Sequence, residues 1–385
     1  MKKRKICPLT DRCGGCQLQY MKYGEQLRYK QDMVEEVLHR YGPVAPIIGM
    51  TNPYHYRNKS QAVYTTAGKS IISGIYRKGT HYVIPVKSCD LEDEETDRIF
   101  LEIRKLARDL NIHTYDEDTG YGVLRHVLVK KGFSTGQIMV VLVFGQVHYP
   151  SLKEFTKRLT EAFPKIASIQ VNINKEKTSM VLGEGRETLI YGKAYIEDSL
   201  CGLLFRISAK SFYQVNPVQA EKLYLTAMRM ARLKETDVVL DAYCGTGTIA
   251  LVAASQGIKK VTGIEINEDA VWDARINASQ NEIKNASFVQ GDASAYCKAL
   301  AENKETVDVL FLDPPRAGSD ERFLSAAIKL KPKTIIYISC NADTLDRDLR
   351  YLTRFGPYRV LGFQPFDMFP HTTHVEVAAV ISREE

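Results

Sequence analysis

The sequence contains no long apolar run and no low-complexity segment, and both absences limit the classes of protein it can belong to. A membrane-spanning helix needs about 20 consecutive apolar residues, so we expect no membrane partner. A secretory signal needs an apolar segment after its basic start. None follows the basic residues 2–5, and the sequence therefore predicts a cytoplasmic protein. The net charge of +6 permits a nucleic-acid partner without requiring one.

Cysteine is present, but it is not arranged as a disulfide scaffold. Cys7, Cys13 and Cys16 have C-x5-C-x2-C spacing, Cys89 follows much later, and the other cysteines stand singly in the C-terminal half. This uneven distribution favours a reducing compartment and separate roles for separate cysteines. The first four cysteines could hold zinc or an iron–sulfur cluster, and the spacing does not decide between these metals. Cysteines without a metal are the remaining interpretation.

A glycine-rich turn follows the short apolar strand predicted at residues 238–240. The strand ends in Asp241, and Gly245 and Gly247 occupy the turn before an apolar helical pattern. A second predicted strand ends in Glu265, at a distance suited to a ribose-binding acid. The turn lacks the complete G-x-G-x-x-G pattern of dinucleotide sites. It resembles the S-adenosylmethionine site of class I methyltransferases, and a turn without a ligand is the alternative.

Two regions with different strand and helix patterns make up the rest of the chain. From residue 209 onward, apolar strands alternate with helices, which predicts an α/β, Rossmann-like domain. The middle region is predicted to be a β-rich α+β domain, with helices at 92–110 and 151–163. Its predicted strands are 61–64, 71–76, 82–85, 124–130, 137–144, 166–174 and 178–182.

Basic residues beside aromatic residues suggest where RNA could bind. Arg57 and Lys59 lie in a segment that alternates aromatic and basic side chains, which can stack on bases and neutralise phosphates. A solvated turn is an equal alternative for that segment. Arg125, His126 and Lys130 are interpreted as a second RNA-facing patch on the surface of the middle region, although charged edge strands are common.

Three side chains near the predicted sheet edge could perform chemistry. Asp313 precedes two prolines that stiffen its turn, and Arg316 stands where amino-methylating enzymes carry an aromatic residue. Cys340 follows a predicted strand directly and so points into the ligand crevice. Glu376 begins the last predicted strand, among polar and aromatic residues. A thiol and a carboxylate in one domain make a nucleophile and a general base.

This pair suits methylation at C5 of a pyrimidine. Because C5 is a poor nucleophile, a thiolate must first add at C6 and make C5 enolate-like. A base must then remove the C5 proton so that the thiol can leave. The reaction needs one cysteine, one base and one methyl donor, and it needs no catalytic metal.

The motifs that carry these residues resemble signatures of the RNA uracil-5-methyltransferase family. They are Asp313-Pro-Pro-Arg-x-Gly318, Ile335-Ile-Tyr-x-Ser-Cys-Asn341-x-x-Thr344 and Phe366-Asp-x-Phe-Pro-His-Thr-x-His-Val-Glu376. The N-terminal cysteine pattern is similar to the [4Fe-4S] site of the branch that acts on 23S rRNA. In this family Pro often follows the asparagine of the second motif, whereas Ala342 stands here.

The resemblance implies a role for each candidate residue. Cys340 is implied as the nucleophile and Glu376 as the general base. The implied S-adenosylmethionine site comprises Gln214, Tyr243, Gly245, Glu265, Asp292 and Asp313. The implied cluster ligands are Cys7, Cys13, Cys16 and Cys89. Arg316 joins Arg57, Lys59, Arg125, His126 and Lys130 as a candidate RNA contact.

The resemblance also implies a domain arrangement and a substrate. Residues 1–24 and 57–208 are expected to form the cluster and RNA-binding domain, and 209–385 the methyltransferase domain with a helix at 25–56 packed on it. We expect no counterpart of the family's N-terminal TRAM-type β-barrel, and RNA affinity is then expected from the middle domain and the basic residues 2–5. We expect a monomer that methylates a uridine of 23S rRNA. The alternatives are a tRNA uridine in the T-loop and an RNA-binding protein whose methyl site has decayed.

Overall fold

A computed structural model describes residues 6–178 and 180–384, so the basic residues 2–5 lie outside the described part of the chain. The helices are α1 (Thr10–Cys13), α2 (Tyr23–Leu38), α3 (Glu94–Asp109), α4 (Lys153–Ala162), α5 (Pro217–Ala231), α6 (Thr248–Ala254), α7 (Glu268–Gln280), α8 (Ala293–Glu302), α9 (Glu321–Leu330) and α10 (Ala342–Phe355). A 3-10 turn, His39–Tyr41, follows α2.

The strands are distributed along most of the chain. They are β1 (Lys59–Ala67), β2 (Ser70–Tyr76), β3 (Val83–Pro85), β4 (Leu124–Lys131), β5 (Ile138–Phe144), β6 (Ile166–Ile173), β7 (Thr188–Gly192), β8 (Tyr195–Leu200), β9 (Leu203–Ser208), β10 (Val238–Asp241), β11 (Lys260–Glu265), β12 (Ala286–Gln290), β13 (Val309–Leu312), β14 (Thr334–Ser339), β15 (Tyr358–Phe366) and β16 (Glu376–Arg383).

The chain divides into two compact units. Unit 1 contains the described residues among 1–20, 53–199 and 206–210, and unit 2 contains 21–52, 200–205 and 211–384. The helix α2 belongs to unit 2 and ends at Leu38. The predicted helix at 25–56 is therefore too long, because residues 42–56 are not helical. None of the helices in the described ranges combines the length and the apolar character that crossing a membrane requires.

Unit 1 is built on a seven-stranded sheet in the order β3-β2-β1-β4-β5-β6-β7. Its pairs are antiparallel except for β5 and β6, which are parallel. The helices α3 and α4 cover the sheet with apolar side chains such as Ile103 and Leu159, which are fully buried in one cluster with Val127 and Val140. Asp93 starts α3 by accepting hydrogen bonds from the main-chain N–H groups of residues 95 and 96.

Two parts of the strand pattern before residue 209 differ from the sequence-based prediction. The predicted strand at 178–182 is wrong, because β6 pairs with β7 at Thr188–Gly192 instead. The side chains of β7 are mostly exposed, so the strand carries little of the alternating apolar signal that identifies a half-buried strand. The two-stranded sheet of β8 and β9 was also not predicted.

Unit 2 contains a second seven-stranded sheet, in the order β12-β11-β10-β13-β14-β16-β15. The strands from β12 to β14 are parallel, and β16 pairs antiparallel with both β14 and β15. This arrangement confirms the predicted Rossmann-like α/β fold. Val34 and Leu38 of α2 are fully buried in the same core cluster as Leu310 and Ile335 of the sheet.

The strand β15 was not predicted from the sequence. It contains Pro365 and a register shift between Val360 and Gly362. Proline and bulges weaken a strand pattern, and both are tolerated where a strand lies at the edge of a sheet. β15 is the last strand in the sheet order, and its outer edge is met, within the described chain, only by isolated parallel bridges from Val44 and Ile48.

Candidate active site and cysteine cavity

The carboxyl ends of four parallel strands bring the candidate residues to one edge of the unit 2 sheet. In register, Asp241 of β10 lies opposite Gly263 on one side and Phe311 on the other, and Leu312 lies opposite Tyr337. Asp241, Glu265, Asp313 and Cys340 therefore end or directly follow neighbouring strands. The structure gathers at this edge the side chains that the sequence assigned to a ligand crevice.

The turn after β10 has the backbone geometry of a close ligand approach. Gly245 has φ 51° and Gly247 has φ 85°, a region that favours glycine. A Cβ at Gly247 would come within 2.9 Å of the Phe288 ring, whereas one at Gly245 would face open space. Asp241 is fully buried, and its Oδ2 accepts a hydrogen bond from the N–H of Ala250 at 3.0 Å. Within the described residues, Asp241 Oδ1 has no hydrogen-bond partner.

Glu265 ties this turn to the next strand. Its carboxylate accepts hydrogen bonds from the N–H groups of Gly245, at 3.1 Å, and Asn267, at 2.9 Å. Ile266 is 72% exposed directly after it, an apolar surface that the sequence analysis did not single out. The sequence signal that could have identified Ile266 is its position, as an apolar residue directly after an acid that ends a strand. Asp292 follows β12 and caps α8 by accepting from the N–H of Ala295 at 2.8 Å.

Two tyrosines lie among these acids. The Tyr243 hydroxyl donates to Ser319 Oγ at 3.4 Å, and its ring packs on Phe323 with centroids 5.3 Å apart. Tyr224 of α5 is 3% exposed, and burial is the main cause that raises its pKa, followed by the charge of Asp313. The Tyr224 hydroxyl also interacts with Gln214, a predicted site residue. Sequence reasoning missed Tyr224, because inside a helix it has the pattern of an ordinary core residue.

Cys340 and Glu376 are brought together by two antiparallel strands. Ser339, the last residue of β14, pairs with Val377 of β16. Cys340 follows Ser339 and Glu376 precedes Val377, so both lie one residue beyond this last pair, and the charge of Glu376 acts on the Cys340 thiol. The side chain of Glu376 is buried, with the residue 6% exposed, and Cys340 is half-buried.

Burial and like charges determine the protonation of this site. Burial raises the pKa of Asp313 to about 7, and burial with the charge of Asp313 raises that of Asp241 to about 8. The same two causes raise the pKa of Glu376 well above its ordinary value. Burial and then Glu376 raise the pKa of Cys340 to about 11, and Arg316 opposes this shift. Such a site favours neutral groups until a cation enters it.

The predicted RNA patch of Arg125, His126 and Lys130 is not on the surface, and that prediction is wrong. These residues are 3%, 5% and 4% exposed. Arg125 donates to Glu117 Oε1 at 2.6 Å and to the main-chain oxygens of Asn174 and Glu176. Burial lowers the pKa of His126 to about 4. These contacts hold loops of unit 1 together.

The remaining RNA candidates differ in exposure. Lys59 and Arg316 are exposed, and Arg57 is half-buried. Arg57 lines a cavity of about 140 Å³ in unit 1 together with Cys7, Cys13, Cys16 and Cys89. The structure thus brings the four predicted metal ligands to one cavity. Even so, no group of three His, Cys, Asp or Glu side chains in the described ranges has the arrangement of a metal site.

Hydrogen bonds fix the two segments that carry these cysteines. Thr10 Oγ1 donates to Gln19 Oε1 at 2.5 Å, and Gln19 Nε2 donates to Asp90 Oδ2 at 2.8 Å. The N–H of Cys89 donates to Asp97 Oδ2 at 2.9 Å. Burial raises the pKa of Cys16 to about 12, and Arg57 opposes this shift. All eight cysteines of the chain are free thiols.

Comparison with known proteins identifies relatives along the whole chain. Residues 22–384 match the family model of tRNA (uracil-5-)-methyltransferases. An uncharacterized RNA methyltransferase of Clostridium acetobutylicum is 44% identical over 386 residues, which cover 98% of this chain and 83% of the relative. Another from Bacillus cereus is 40% identical over 389 residues, which cover 100% of this chain and 84% of the relative.

A crystal structure shares the fold. The tRNA (uracil-54, C5)-methyltransferase of Pyrococcus abyssi, in complex with S-adenosyl-L-homocysteine, superposes with a TM-score of 0.78 at 24% identity. The match covers 99% of this chain and 90% of that chain. At this identity the similarity establishes the fold.

Proposed function

Because the chain belongs to the tRNA (uracil-5-)-methyltransferase family, we propose that it transfers a methyl group from S-adenosylmethionine to C5 of a uridine in RNA. The observation that carries the proposal is the position of Cys340 and Glu376. They lie one residue beyond Ser339 and Val377, the last pair of two adjacent antiparallel strands, at the same sheet edge as the glycine turn and its acids. A nucleophile, a base and a donor site then meet in one place.

The residues of the glycine turn fit S-adenosylmethionine. Asp241 Oδ1 is a buried acceptor without a partner in the described chain, and Gly245 leaves open space above the turn. Glu265 is assigned to the ribose hydroxyls, with Ile266 beside it against the adenine. Gln214, Tyr243, Asp292 and Asp313 complete the assigned pocket. When bound, S-adenosylmethionine supplies the electrophilic methyl group.

Cys340 begins the reaction by forming a covalent bond from Sγ to C6 of the uracil ring. The electron pair of the C5–C6 double bond moves to C5 and O4. The new C5 carbanion attacks the methyl carbon, and the electrons of the broken carbon–sulfur bond leave with S-adenosylhomocysteine. The nucleophile requires the thiolate form.

Glu376 completes the reaction by taking the proton from C5. The C–H electron pair restores the C5–C6 double bond, and the C6–S bond breaks to release the Cys340 thiolate. The carboxylate must be ionised to act as this base. Its ionisation is favoured once a cation occupies the site, because a positive charge offsets the repulsion from Asp313.

Alkylation of Cys340 in the ligand-free protein is expected to depend steeply on pH. Because burial and Glu376 raise the thiol pKa to about 11, its thiolate fraction should rise about tenfold per pH unit below that value. Arg316→Gln should slow alkylation at pH 8 several-fold, since Arg316 lowers this pKa. The exposed cation Lys333 of unit 2 provides the control, Lys333→Gln. Mass spectrometry of iodoacetamide-treated protein measures both rates, and equal rates in wild type and Arg316→Gln would contradict the assignment.

The RNA substrate we propose is 23S rRNA, on the basis of the cysteine pattern. A tRNA uridine is the second candidate, and the family model and the Pyrococcus abyssi relative favour it. Unmodified 23S rRNA and tRNA transcripts, incubated with labelled S-adenosylmethionine, should separate the two. Methylation of rRNA with tRNA left unlabelled supports the first candidate, and the reverse pattern supports the second.

We further propose that Cys7, Cys13, Cys16 and Cys89 hold a [4Fe-4S] cluster, with zinc as the alternative. Support comes from their common cavity and from the Arg57 cation beside them. Burial raises the pKa of the Cys13 and Cys16 thiols, and Arg57 opposes that rise and so favours the thiolates a metal needs. The methyl transfer moves no electrons between metal centres, so the cluster would stabilise unit 1.

Protein purified without oxygen is expected to be brown and to contain equal amounts of iron and acid-labile sulfide. Cys16→Ser should lose most of both, because one of four ligands is removed. Cys201→Ser is the matched control, since Cys201 lies outside the cavity and should leave the metal content unchanged. Elemental analysis and visible absorbance measure the result. Colourless protein containing zinc would exclude the cluster.

A further inference from the structure

We infer that α2 positions the proposed base, through Lys30, Tyr23 and Gln26. These side chains hold residues 367–375, the loop that joins β15 to β16 and leads directly into Glu376. The inference rests on the proposed function, because it concerns the step in which Glu376 removes the C5 proton. It assigns a functional consequence to a buried polar network that packing alone does not require.

An ion pair lies at the centre of this network. Lys30 Nζ is 2.5 Å from Asp367 Oδ1, and both side chains are fully buried. Lys30 also donates to the main-chain oxygen of Phe369 at 3.0 Å. Burial lowers the pKa of Lys30, and Asp367 opposes that shift. A buried ion pair is a poor source of stability compared with an apolar pair of similar volume. Its geometry, in contrast, fixes the start of the loop.

Two further side chains of α2 bind the same loop. The Tyr23 hydroxyl donates to Asp367 Oδ2 at 2.8 Å. Gln26 Oε1 accepts from the N–H of His371 at 2.9 Å, and Gln26 Nε2 lies 3.1 Å from His371 Nδ1. His371 has φ 68°, a left-handed conformation that costs energy in any residue other than glycine. Such a conformation persists only where surrounding contacts determine it.

The loop is also held from its other side. Asn216 Nδ2 donates to the main-chain oxygen of Met368 at 2.8 Å, and Gln219 Nε2 donates to that of Asp367 at 3.1 Å. The N–H of Asp367 donates to the oxygen of Ile48 at 3.0 Å. Together with the hydrogen bonds from α2, these contacts hold main-chain groups of the loop as well as its side chains.

The connection to the base is short. Phe366 pairs with Glu376, and this is the final pair of the β15–β16 hairpin before the loop. A shift of the loop at Asp367 or His371 therefore moves the strand end that carries the Glu376 carboxyl group. Cys340 follows β14, and α2 reaches that region through the apolar packing of Val34 and Leu38 on Ile335 and Leu345. Loosening α2 should then impair proton removal more than thiolate addition, and the covalent RNA adduct should accumulate.

The test compares three variants in one assay. Lys30→Met combined with Asp367→Asn removes both buried charges together, so that neither is left unpaired. Tyr23→Phe removes a single hydroxyl with little change of volume. Tyr41→Phe is the matched control, because its hydroxyl bonds Asp346 of α10 at 2.8 Å and does not contact the loop. Each is mixed with substrate RNA and S-adenosylmethionine, and adduct and methylated product are quantified on denaturing gels.

The double variant should lower kcat by roughly 10- to 100-fold, the effect of a small misplacement of a reacting group. Its KM values for RNA and S-adenosylmethionine should stay within about twofold, and its ratio of adduct to product should rise about tenfold. Tyr23→Phe should show the same change of ratio on a smaller scale, and Tyr41→Phe should match wild type. If the double variant does not fold, Tyr23→Phe decides the question.

Two results would overturn this inference while leaving the proposed function intact. One is a folded Tyr23→Phe variant with the wild-type ratio of adduct to product. The other is a loss of activity in the variants without any adduct, which indicates a general loss of structure. A wild-type protein that methylates no RNA, or a Glu376→Gln variant that forms no adduct, would instead overturn the proposed function on which the inference depends.

Discussion

Cys340→Ala is expected to reduce methyl transfer to background, a loss on the order of 10⁴-fold or more. Without Sγ, no bond forms at C6, and C5 of the uracil ring remains a poor nucleophile. The fold should tolerate the change, because Cys340 is half-buried and lies beyond the end of β14. Transfer of labelled methyl groups to RNA measures the effect, and thermal unfolding checks that the protein remains folded.

Cys201→Ser is the matched control for this experiment. Cys201 is also a half-buried free thiol of unit 2, and its Sγ lies 3.9 Å from the main-chain oxygen of Glu221, which is a weak contact. The activity of the Cys201→Ser variant should stay close to that of wild type. If Cys340→Ala retains a tenth or more of the activity, a mechanism through a Cys340 adduct is excluded.

Glu376→Gln is expected to stop the reaction after methyl transfer. The amide keeps the size of the side chain but cannot take the C5 proton, so turnover should fall by roughly 10²- to 10⁴-fold, the usual contribution of a general base. The RNA should remain bonded to the protein, and a slower band should appear on a denaturing gel.

A variant of a second carboxylate distinguishes the loss of the general base from weaker binding of S-adenosylmethionine. Glu265→Gln should raise the KM for S-adenosylmethionine without accumulating adduct, because Glu265 is assigned to the ribose. Equal adduct levels in both variants, or none in Glu376→Gln, would remove the base assignment.

The sequence predicted the parts of the site that local patterns encode. Asp241, Glu265 and Asp313 each end or follow an apolar strand, and strands that alternate with helices form parallel sheets whose carboxyl ends meet. Their convergence follows from that topology. The placement of Cys340 and Glu376 just beyond the Ser339–Val377 pair does not follow from it, because β16 runs antiparallel and β15 was not predicted.

Long-range contacts could not be predicted from one sequence. Lys30 stands between polar and aromatic residues of α2, where a lysine normally faces solvent, and yet it is fully buried against Asp367 near the opposite end of the chain. Arg125 likewise appeared to belong to a surface patch, although its guanidinium group is paired with Glu117 inside unit 1. Burial of a charge depends on a partner, and local periodicity contains no information about a distant partner.

The most direct test of the account is to locate the covalent bond in the trapped complex. Glu376→Gln protein is incubated with substrate RNA and S-adenosylmethionine, digested with nuclease and protease, and analysed by tandem mass spectrometry. The peptide containing Cys340 should carry a methylated uridine joined through sulfur. A methylated nucleotide on any other residue, or product RNA released with no modified peptide, would contradict this mechanism.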